Sequence, residues 1–66
     1  MILNPARLYR RWRRLEREAL EEARVLRRRH GERAILAAEE KLRRADVTTW
    51  GRRVLTRAIR LLKTQV

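Results

Sequence analysis

From residue 50 to residue 66 the chain divides cleanly at helical period. At about 100° per residue, Trp50, Val54, Leu55, Ala58, Ile59, Leu61, Leu62 and Val66 share one half of a helix, with Gly51 among them. Arg52, Arg53, Thr56, Arg57, Arg60, Lys63 and Thr64 share the other, and no acid follows Asp46. A strand would need alternation, which is missing here, so the segment is an amphipathic helix whose apolar half must be buried against something.

The choice of cover is narrow. A chain of 66 residues buries only roughly 60% of the surface that its unfolded form exposes. Domains of this size compensate with disulfides, a metal, a partner or well-idealised helix packing. There is no cysteine, which removes disulfides, iron–sulfur clusters and thiolate zinc sites together. A single histidine, His30, makes no metal site, and no cofactor is expected. Helices within the chain, or a partner, have to supply the cover.

The upstream sequence offers two helices. Asn4 caps and Pro5 opens the first, and Leu3 and Leu8 stand at the spacing of a hydrophobic staple. Helix 1 is predicted over residues 5–29, with a buried stripe of Leu8, Trp12, Leu15, Ala19, Ala23 and Leu26. Arginines lie opposite, and Arg14–Glu18 and Arg17–Glu21 are spaced to pair along the helix. Gly31 follows three arginines and His30, which reads as a left-handed helix end. The apolar spacing also runs on through it, so one continuous rod is the alternative. A break is favoured, because two helices folding back bury their stripes within one chain. Helix 2 is predicted over 32–44, with Ala34, Ile35, Ala38, Leu42 and Ala45 inward, Leu36 pointing away, and Glu39–Arg43 and Glu40–Arg44 spaced to pair. Asp46 or Thr48 caps helix 3, predicted over 48–63. The expected fold is a single all-α domain, a small three-helix bundle in which long helix 1 packs against a helix 2–helix 3 hairpin.

Charge then bounds the partners. Nineteen Lys and Arg against eight acids give a net charge of +11, and seventeen of the nineteen are Arg. Arginines at 7, 10, 11, 13 and 14, at 24, 27, 28 and 29, and at 52, 53, 57 and 60 form clusters that match phosphates through paired N–H donors. Helix 1 is acidic around residues 16–22, and helix 2 is balanced. The polyanion-binding candidates are Arg52, Arg53, Arg57, Arg60 and Lys63, then Arg10, Arg13 and Arg14. The expected partner is nucleic acid or a ribonucleoprotein, bound without enzymatic chemistry and without regard to base sequence. The competing reading is that these are solvated faces with no partner.

Two other binding classes remain. An adaptor or inhibitor would place Trp12, Trp50, Leu20, Val25 and Leu36 against an acidic protein surface, a second copy of the chain, or a larger complex. Helix 3 alone also has the pattern of a peripheral membrane-surface helix. A helix-turn-helix with its turn at residues 45–48 fits poorly, since Lys41 and Arg52 would occupy core positions of that motif.

Catalysis is not expected. Neither Cys nor Ser is present, two unrelated glycines make no phosphate loop, and Glu21-Glu22 and Glu39-Glu40 diverge around their helices rather than converge. No apolar run approaches a membrane span and no secretion signal is visible, so a cytoplasmic location is expected.

Overall fold

A computed structural model describes residues 5–44 and 46–64. Helix α1 is Pro5–His30, a 3-10 turn covers Gly31–Arg33, α2 is Ala34–Leu42 and α3 is Thr49–Thr64. No strand occurs among the described residues. The architecture is the expected one: α1 against a pair formed by α2 and α3. Asn4 and Leu3, the expected cap and staple, lie outside the described residues, as do Ala45 and Val66.

Gly31 makes the break. Its φ is +57°, the left-handed region that a side chain disfavours. Four basic residues, Arg27 to Arg29 and His30, occupy the last turn of α1, where the helix dipole favours positive charge. Arg27 also donates through Nη1 to the Gly31 carbonyl (3.1 Å) and through Nη2 to the Leu62 carbonyl (3.4 Å), tying the end of α1 to the end of α3. The reversal is sharp enough for Lys41 Nζ on α2 to reach Glu22 Oε1 on α1 at 3.1 Å. In one straight helix those two residues would stand roughly 28 Å apart.

Thr48 rather than Asp46 caps α3. Its Oγ1 accepts from the Gly51 N–H at 2.9 Å, and its carbonyl accepts from Arg52 N–H at 2.9 Å. A Cβ at residue 51 would stand 3.0 Å from Thr48 Oγ1 and 3.2 Å from Val47 Cγ1, so glycine keeps this cap closed.

Nine residues form the core: Ala19, Ala23, Leu26, Ala34, Ala38, Leu55, Ala58, Ile59 and Leu62. Five are alanines, and all three helices contribute at least one. Side chains this short let helix backbones approach closely, and they remove little apolar area from water. Ile35, Leu42, Val47, Val54 and Leu61 close the edges.

The buried stripe of α1 is shorter than the spacing predicts. Leu8 (49% exposed) and Trp12 (56%) stand in solvent, together with Tyr9 (58%), and Leu15 is half-buried. The physical reason is reach: α3 spans 16 residues, about 24 Å, and crosses α1 beside its middle. Residues 5–14 of α1 are all exposed beyond that cover. The radius of gyration, 13.2 Å, correspondingly exceeds the roughly 11 Å of a compact chain this long. The shape is a slab of 43 × 28 × 14 Å.

Candidate polyanion interface

The polar half of α3 separates into edges and centre. At one edge Arg57 is half-buried and paired with Glu16 of α1: Nε donates to Oε1, and Nη2 to Oε2 at 3.1 Å. The hydrogen bond to Glu16 raises the Arg57 pKa above its ordinary value; partial desolvation works against it, and the Glu16 charge adds to it. A raised guanidinium pKa stabilises the fold at every pH below the ordinary arginine range and is lost only as pH climbs through the folded value. Arg57 therefore stays a cation throughout the working range. At the other edge Arg52 Nη1 donates to the Leu42 carbonyl at 3.4 Å, fastening α3 to the end of α2.

Arg53, Arg60 and Lys63 lie nearer the centre of the polar arc, with Thr49 and Thr56. All are exposed, and none of the three cations is in an ion pair among the described residues, where the pairs are Arg14–Glu18, Lys41–Glu22 and Arg57–Glu16. Arg53, Arg60, Thr49 and Thr56 line an open depression of about 360 Å³ with Leu15, Arg52 and Arg57, and no acid lines it. Thr56 donates to the Arg52 carbonyl at 2.7 Å, so its hydroxyl is already committed. The exposed lining is mostly apolar, with Arg53 and Arg60 as its unpaired cations, and the Glu16 carboxylate reaches its edge through Arg57.

On α1 the predicted cations also divide. Arg14 donates to Glu18 Oε2 (3.2 Å) and lies 5.3 Å from the Trp50 ring centre. Arg13 lies 5.7 Å over Tyr9, and Arg10 is exposed and in no ion pair among the described residues. The spacing-matched pairs Arg17–Glu21, Glu39–Arg43 and Glu40–Arg44 do not form; Glu22 turns to Lys41 instead.

The candidate docking residues are scattered. Trp50 is half-buried, and its Nε1 donates to Glu18 Oε2 at 3.0 Å, so it joins α3 to α1 rather than standing free. Leu20 is half-buried beside Trp12 and Leu61. Val25 lines a different groove, between α1 and α2, and Leu36, 63% exposed, lines neither. The apolar half of α3 that a membrane surface would require is turned into the core, since Leu55, Ala58, Ile59 and Leu62 are all buried.

Glu16 was not singled out by sequence reasoning, although a signal was available. It lies four residues after Trp12 and four before Leu20, which puts an acid on the apolar arc of α1. Such an acid calls for a cation from a neighbouring element, and Arg57 at the border of the α3 polar arc supplies it.

Among the described residues no cluster of His, Asp or Glu suits a metal ion, and no helix is long and apolar enough to cross a membrane. The chain matches no known protein-family model, no curated protein and no solved structure.

Proposed function

We propose that this chain is a non-enzymatic basic module that docks on a polyanion, with nucleic acid or a ribonucleoprotein as the leading partner. One observation carries the reading: Arg53 and Arg60 stand unpaired in an acid-free depression while the cations at its edges hold the fold together. Interior bonds are a sufficient reason for Arg57 and Arg52; they give none for Arg53, Arg60 or Lys63. Seventeen arginines against two lysines also favour a partner whose paired oxygens accept from a planar guanidinium fork, as phosphate does.

The test is the salt dependence of binding to a labelled duplex or single strand. The logarithm of the affinity should fall linearly with log salt. The double variant Arg53→Gln, Arg60→Gln should reduce that slope by about 1 per arginine. Arg57→Gln should lower the urea midpoint and leave the slope near wild type. Absence of binding at low salt, or an equal slope in the double variant, would reject the proposal.

A second reading, docking on another protein, is favoured by the exposure of Leu8, Tyr9 and Trp12. It moves the anchor from Trp50, which the fold uses, to Trp12. A complex of that kind survives moderate salt and dissociates on Trp12→Ala; retention of the complex by the variant would dismiss it.

A further inference from the structure

Three features of the molecule have no part in the bundle: the groove between α1 and α2, exposed Leu36, and the free first turns of α1. The third joins two kinds of chemistry. Tyr9 and Trp12 form an exposed ring pair, centroids 6.5 Å apart and planes 25° from parallel. Directly along α1 from Trp12 lies an open pocket of about 380 Å³, with Trp12, Leu20 and Leu61 as apolar walls and Arg13, Arg17 and Glu16 as polar ones.

Charge decides what can enter. Both Glu16 oxygens accept from Arg57, so the only carboxylate in the pocket is already neutralised. Glu18, the next acid along the helix, is held by Arg14 and Trp50. Arg13 lies against Tyr9 and, with Arg17, lines the pocket beside Trp12, and Arg10 and Arg11 are exposed on the same turns of α1. A second copy of this chain would bring like charge onto like charge, which disfavours a homodimer through this face. The occupant has to be anionic and must also present flat apolar surface. An unstacked base attached to a phosphate has both, and every base offers a π-face to a Trp or Tyr ring.

From this arrangement we infer that α1 binds single-stranded nucleic acid, with a base stacked on Trp12 over the Leu20–Leu61 wall and neighbouring phosphates on Arg13 and Arg17. A duplex keeps its bases stacked on one another and can use only the phosphate contacts. The inference rests on the polyanion reading and narrows it to single strands.

The experiment compares oligo(dT), oligo(U), a duplex of equal length and inorganic polyphosphate at matched low salt. Both single strands should bind more tightly than the duplex and quench tryptophan fluorescence. Trp12→Ala should weaken single-strand binding roughly 5- to 150-fold, the range for losing one stacked base, and leave duplex and polyphosphate affinities unchanged. Trp12→Phe should keep most of the affinity and lose most of the quench. Because Trp12 is more than half exposed, neither change should alter the helical circular dichroism. Equal affinity for single strand and duplex, unaffected by Trp12→Ala, overturns the inference and leaves the polyanion reading standing. An equal loss for polyphosphate overturns it too, since a partner without bases would then depend on the ring. No binding to any of the four probes overturns both.

Discussion

The two halves of α1 have similar spacing and opposite fates. Leu8, Trp12 and Leu15 repeat at the same intervals as Ala19, Ala23 and Leu26, yet only the second set is buried. The second half differs in what surrounds it. Gly31 turns the chain back so that α2 covers one flank, and α3 crosses to cover the rest. The first half has only the flank of α3 beside Leu15 and Trp12, and it carries the bulkier side chains. Periodicity identifies a face, while cover depends on the lengths and directions of other elements.

The largest effect should come from cutting into the covered half. Leu26 is 4% exposed, and Leu26→Ala should cost about 2–5 kcal/mol, enough to threaten a domain this small. Urea unfolding followed by circular dichroism measures it, and a loss under 1 kcal/mol would mean that the covered half is not the anchor of the fold. Next is Gly31→Ala. Nothing lies within 4 Å of the added Cβ, so the penalty is the left-handed backbone alone, about 1–2 kcal/mol. A neutral or stabilising result would indicate that the chain straightens through residue 31, and the two halves of α1 would then be equally uncovered. The smallest effect is expected in the free half. Leu8→Ala and Trp12→Ala should each fall within about 0.5 kcal/mol of wild type; a larger loss would show that these side chains have cover in solution.

Much of the fold was legible in the sequence. The clean division of residues 50–66, the alanine spacing in residues 34–38 and the glycine after a basic run together specify three helices and a reversal. Trp12 stands exposed on a predicted buried stripe because a helical stripe gives direction without extent: nothing in residues 8–12 reveals that α3 touches them only at Leu61 and leaves them mostly uncovered. Leu20 and Leu61 were legible as apolar, but their meeting beside Trp12 depends on the angle at which α3 crosses. On the polar side, the pairing of Arg57 turns on a few tens of degrees. Arg57 and Arg53 are the same residue type on the same helix, and only their positions relative to the border of the arc separate an internal strut from an open donor.

The alanines at 19, 23, 34, 38 and 58 have a further implication. Each is at most 1% exposed, at places where backbones meet around a single methyl group, so tolerance to change here depends on volume more than on polarity. Glycine would loosen these crossings and leucine would push the helices apart. A saturation screen for folding stability should therefore return strict positions among the smallest residues of this chain, with most of its exposed arginines exchangeable in that assay.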